Sequence, residues 1–166
     1  MITAERKSIT EIKEMLSPYK KILVVGCGSC VAECAAGGEK ETGILASLLR
    51  LDAKQEGREI DITELTLDRQ CVNTFIDQLT AIIGDYEAIL SLGCGAGVQA
   101  VAEAFPGAVV LPALNTTFIG ETRSAGLWIE NCRGCGDCKL GYFAAVCPVT
   151  RCSKSLFNGP CGGSKD

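Results

Sequence analysis

"KKILVVGCGSCVAEC", residues 20–34, joins an apolar run to a glycine turn that carries three cysteines. The run over 20–26 is continuous, rich in β-branched residues and closed by Gly26, which is the pattern of a strand buried on both faces. Outward from it, apolar runs and helical periods alternate. "GEKETGILASLLRLDAKQEG" (38–57) has helical spacing through Leu45, Leu48 and Leu49, with Gly57 as its stop. "REIDITELTL" (58–67) reads as a second strand and "VNTFIDQLTAIIGD" (72–85) as a second helix. "YEAILSLG" (86–93) is a third strand, "GVQAVAEAF" (97–105) a third helix and "AVVLPAL" (108–114) a fourth strand. Upstream, "SITEIKEMLS" (8–17) is a short amphipathic helix with Ser8 or Thr10 as its cap.

Strands alternating with helices of about ten residues or more predict a parallel sheet covered on both faces. The expected fold is therefore α/β, a three-layer domain of Rossmann or flavodoxin-like type. Ligands of such sheets sit just beyond the carboxyl ends of the strands. Residues 115–130 read as a connector with one more strand at 127–130. Beyond 131, glycine, cysteine and proline recur too often for long elements, and that tail is too short to bury a core of its own. The expected division is an α/β domain over 1–126, carrying a first cysteine site, and a cysteine-rich, metal-stapled iron–sulfur segment over 127–166.

Composition narrows the class. The net charge of −4 leaves no basic stripe to neutralise phosphates, which argues against nucleic acid. No apolar run reaches the roughly 18 residues that span a bilayer, and the charged start "MITAERKSITEIKEML" is not a signal peptide. A cytoplasmic protein is expected. Eleven cysteines in 166 residues is an odd count, and with no export signal it argues against a disulfide framework. Histidine is absent, so imidazole-assisted nucleophiles are excluded and any zinc site must be built from cysteines or carboxylates.

The cysteines fall into two constellations. Cys27, Cys30 and Cys34 follow the first strand and Cys94 follows the third, in "ILSLGCGAG"; two strand ends of one parallel sheet can lie side by side. Gly28 and Gly95 let the backbone approach, with N–H groups expected to be open to cluster sulfurs. Cys71, in "LDRQCVN", is the reserve ligand. Neither glycine turn completes a dinucleotide fingerprint, and no Walker sequence is present. The second constellation is "CRGCGDC", Cys132, Cys135 and Cys138 at C-x₂-C-x₂-C, followed by Cys147-Pro148. Ferredoxin-like runs use that triplet, whereas zinc sites pair one C-x₂-C with another. The fourth ligand is open among Cys147, Cys152 and Cys161. Eight of these cysteines can hold two [4Fe–4S] clusters, with zinc the alternative at one site. Two clusters without catalytic apparatus describe an electron carrier; a zinc-stapled scaffold and, more weakly, a Cys27–Cys30 thiol–disulfide enzyme are the other readings.

Three stretches also carry a resemblance: "KKILVVGCGSCVAECAAGGEKE", "LPALNTTFIG" and "CRGCGDCKLGYFAAVCPVTRCSKSLFNGPCGG". Together they resemble the methylenetetrahydrofolate reductase C-terminal-domain family, whose free-standing members are small MetV-type subunits. The resemblance implies a subunit that joins a flavin-bearing catalytic partner, in one-carbon metabolism and often the acetyl-CoA pathway. It implies FMN on that partner rather than on this chain, a further electron-donor protein, and either iron–sulfur or zinc here. Carried over residue by residue, Cys132, Cys135 and Cys138 with Cys27 and Cys30 are the most secure ligands.

Overall fold

A computed structural model describes residues 1–152; Cys161 and the closing "NGPCGG" lie outside the described residues. The chain divides into two compact units, Ile2–Thr117 and a second made of Met1 with Phe118–Asp166.

The first unit contains β1 (Ile2–Arg6), α1 (Ile9–Leu16), β2 (Lys21–Cys27), α2 (Cys30–Glu33), α3 (Glu39–Gln55), β3 (Asp61–Leu67), α4 (Asn73–Ile76), β4 (Ala88–Ser91), α5 (Gly95–Ala104) and β5 (Val110–Pro112). Four of the strands form a parallel sheet in the order β3–β2–β4–β5. Counted along the chain that order is second, first, third, fourth, which is how a flavodoxin-like sheet begins. The expected α/β class with a parallel sheet is thus observed. Its connections change direction between β2 and β4, and the crevice of such a sheet opens at the carboxyl side of that point.

The central strand β2 is buried from Ile22 to Cys27 because both its faces are covered. Leu23, Val25 and Ile89 pack with Ile76 and Leu79 after β3 and with Val101 of α5. Side chains alternate along a strand, so the equally buried Ile22, Val24 and Leu90 point to the opposite face, where α3 supplies Leu45, Ala46, Leu49 and Ala53. Each such aliphatic contributes roughly 1.5–3 kcal/mol by leaving water. Local signals set the helix ends. Ser8 Oγ accepts from Glu11 N–H at 3.2 Å at the start of α1, and the Glu41 carboxylate accepts from Gly38 N–H at 3.1 Å at the start of α3.

Three elements differ from expectation. The helix expected over 72–85 is only α4 followed by 3₁₀ turns at Asp77–Leu79 and Ile83–Asp85. Its apolar spacing still buries Ile76 and Leu79, but β-branched residues and Gly84 give little helix propensity to hold one continuous rod. The strand expected at 127–130 is observed as β7 (Leu127–Cys132), but the connector expected before it is also strand: β6 (Leu114–Ser124), which pairs antiparallel with β7. Gly126, at φ +77°, makes the turn between them. β1 was not expected either; it lies beside the opening residues of β6, where Thr117 Oγ1 donates to Thr3 O at 2.9 Å.

In the second unit, β7 delivers Cys132 opposite Ile119. Gly134 and Gly136, both at positive φ, then turn the chain between the cysteines. A 3₁₀ turn at Leu140–Tyr142 and the short helix α6 (Pro148–Arg151) follow. Arg151 Nη2 donates to Asn131 Oδ1 at 3.1 Å, which ties α6 back to the end of β7.

Candidate functional site

At the sheet's carboxyl edge, Cys27 ends β2 and Cys94 caps α5 after β4, so the two straddle the point where the connections reverse. Cys27 N–H donates to Gly37 O at 2.8 Å, and Ser29 Oγ donates to Asp68 O at 2.9 Å, bracing the turn after β2 against the turn after β3. That second turn carries Cys71. The sulfurs of Cys71 and Cys94 are near enough for their charges to act on Cys27. Burial pushes the Cys27 thiol up, backbone N–H groups of Gln70 and Ser29 pull it down, and negative charge on Cys94 and Cys71 pushes it up again. A bound cation reverses that last effect, because it turns mutual repulsion of thiolates into shared attraction.

The other cysteines of this constellation stand differently. Cys30 opens α2 and is half-buried. Cys34 is buried, and its thiol is turned to carbonyls, Val31 O at 3.6 Å and Ala4 O at 3.8 Å. The N–H groups of Gly28 and Gly95, expected to be open to a cluster, are already donated, to Leu67 O at 2.8 Å and to Thr116 Oγ1 at 2.9 Å. The N–H groups that do face a thiol belong to Gln70 and Ser29. Gln70 is the residue that sequence reasoning missed: its amide is fully buried at this edge, and no motif surrounds it.

In the second unit, Cys132, Cys135, Cys138 and Cys147 line one cavity of about 250 Å³, walled also by Asn131, Leu140 and Val149. Cys147 stands as the N-cap of α6 with Pro148 at the first helical position. The Thr150 hydroxyl donates to Cys147 and holds its thiol below the usual range, helped by backbone N–H groups and Arg151. Gly134 N–H donates to Cys132 Sγ at 3.3 Å. Cys132, Cys135 and Cys138 are all exposed, and Tyr142 and Phe143 are 83% and 42% exposed. Cys152 follows α6 directly and is half-buried.

None of the ten cysteines among the described residues is in a disulfide. Among the same residues, no three Cys, Asp or Glu side chains converge as they would on a single ion. The donor set is all sulfur, with carbonyls and amides around it, which suits thiophilic metals and iron–sulfur clusters. No described helix is long and apolar enough to cross a membrane.

No curated protein and no solved structure matches the chain. Residues 111–166, which hold β6, β7 and the whole second cysteine constellation, match the family described as "Methylene-tetrahydrofolate reductase C terminal".

Proposed function

We propose that this chain is a MetV-type electron-transfer subunit. In this reading it relays electrons, through two [4Fe–4S] clusters, to or from the flavin of a partner methylenetetrahydrofolate reductase catalytic subunit in the cytoplasm. The observation that carries the reading is the cavity of about 250 Å³ lined by Cys132, Cys135, Cys138 and Cys147, within the segment that matches the family. A cluster bound there supplies reversible one-electron transfer. Cys132, Cys135, Cys138 and Cys147 would hold it, with Thr150 favouring the thiolate that ligation needs. Exposure of the three triplet cysteines leaves this centre within reach of a partner flavin.

The grouping of Cys27, Cys71 and Cys94 supports a second centre at the sheet edge, with Cys30 one turn along and Cys34 left to packing. The measurement that tests all of this is iron, zinc and acid-labile sulfide per chain after purification without oxygen. About eight irons with matching sulfide support the two-cluster relay, and about four leave one constellation without a cluster. Zinc without iron sinks the relay and leaves a metal-stapled scaffold for the same catalytic subunit, consistent with the exposure of residues 132–138 and their need for an external staple.

A further inference from the structure

The stretch between Cys138 and Cys147 is built to stay open. After the 3₁₀ turn at Leu140–Tyr142, Ala144 and Ala145 stand at φ +50° and +63°. That left-handed region is unfavourable for any residue with a Cβ, and two such residues in succession form only where the surrounding chain holds them. Hydrogen bonds within the loop do so. Tyr142 N–H donates to Lys139 O at 2.9 Å, Phe143 N–H and Ala145 N–H both donate to Leu140 O, and Val146 N–H donates to Phe143 O at 2.9 Å. The outcome is that Leu140, Tyr142, Phe143 and Val146 all face solvent. Single exposed apolar residues are ordinary, but four within seven residues form a patch. Leu140 also lines the cavity of Cys132, Cys135 and Cys138, and the loop runs on into Cys147 on the same wall.

We propose that Tyr142, Phe143 and Val146 are the anchor by which this chain docks into an apolar socket on the flavin-bearing catalytic subunit, beside the cysteine cavity. This rests on the relay reading given above. A redox centre serves a partner only where the two meet, and this apolar surface shares a wall with the cavity that the centre is read to occupy. The patch is also uncharged. Lys139 is the one charged residue between Cys138 and Cys147, and it is tied to Asp137 at 2.6 Å, so the loop suits an apolar surface rather than phosphates or carboxylates. A protruding aromatic seated in a partner's pocket is the commonest form of interface anchor. A second exposed apolar row, Ile44, Leu48 and Leu51, stands on α3 and lines no part of the cavity.

The test measures the affinity of the full chain, purified without oxygen, for the flavin-loaded methylenetetrahydrofolate reductase catalytic subunit of the same organism, by titration calorimetry. Tyr142→Ala should weaken association about thirty-fold, the loss of one interface hot spot, and Phe143→Ala about ten-fold. Iron and sulfide per chain and the circular dichroism spectrum should match the parent's, because both side chains lie at the surface. Leu51→Ala, which removes an exposed leucine of α3, should change the affinity by less than about two-fold. Unchanged affinity in a folded Tyr142→Ala/Phe143→Ala protein overturns the anchor and leaves the partnership standing. Failure of the unmodified chain to bind the catalytic subunit overturns the partnership itself. Self-association of the unmodified chain in sedimentation velocity, abolished by the same double substitution, overturns the assignment of the partner and makes the patch an interface between copies.

Discussion

Cys27 lies at 8% exposure on a strand paired in register on both sides. Cys132, Cys135 and Cys138 stand on exposed turns whose glycines take positive φ. The sheet edge inherits its geometry from the core: the carbonyls of Val25 and Gly26, the Ser91 hydroxyl and the Gln70 amide hold it whether or not a metal is present. The second constellation has few such supports. The Asn131–Arg151 tie and the hydrogen bond to Cys132 set its outline. One region takes its shape from the buried core, and the other from a few contacts of its own.

The sharpest way to break this contrast is to remove a ligand from the second region. Cys135→Ser should abolish its centre and take about half of the iron and sulfide with it. The sheet-edge centre should persist, visible as the remaining half in an iron and sulfide assay. Loss of both centres would mean the two regions depend on each other. At the sheet edge, Cys71→Ser should lower iron content, while Cys34→Ala should leave it unchanged, because the Cys34 thiol is occupied with Val31 O and Ala4 O. Equal iron loss from both substitutions would restore Cys34 as a ligand.

Folding stability should divide along the same line. A Cβ on Gly37 would come within 2.1 Å of Leu92 O, a backbone atom that cannot swing away. Gly37→Ala should therefore cost about 1–3 kcal/mol in urea unfolding. Gly141→Ala, where a Cβ meets nothing within 4 Å, should stay within about 0.5 kcal/mol of the parent. The smallest effect concerns protons. In metal-free protein, Cys147 should be alkylated at lower pH than an ordinary thiol, since the Thr150 hydroxyl favours its thiolate. Cys27, pushed up chiefly by burial, should need higher pH. Thr150→Val should move the Cys147 midpoint upward and leave that of Cys27 in place. Rate–pH profiles by mass spectrometry would show whether the order is reversed.

What sequence could deliver followed how locally each feature is encoded. β2 and β4 are short apolar runs with flanking turns, and α3 is a long amphipathic period; each could be read where it stands. β6 could not, because "LNTTFIGETRS" is a half-exposed hairpin strand with threonine and charge where a buried strand has valine. The helix expected over 72–85 was right about which residues face the core and wrong about the backbone, since burial follows spacing while continuity depends on propensity. At the candidate site, the cysteine triplet was legible because its members are neighbours in the chain. Gln70 was not, as its meaning lies in three turns that only the fold brings together. The orientation of Cys34 was not legible either: α2 is only one turn long and directs the thiol to carbonyls.

β5 deserves a last consequence. It is three residues long, closes with Pro112, and forms one border of the parallel sheet, while β3 forms the other with Asp61 and Glu64 exposed along it. Proline offers no N–H, and on the other border Asp61 is charged and exposed while Glu64 is tied to Arg50, so neither border is a ready template on which another chain can add a strand. Self-association by sheet extension is thereby discouraged.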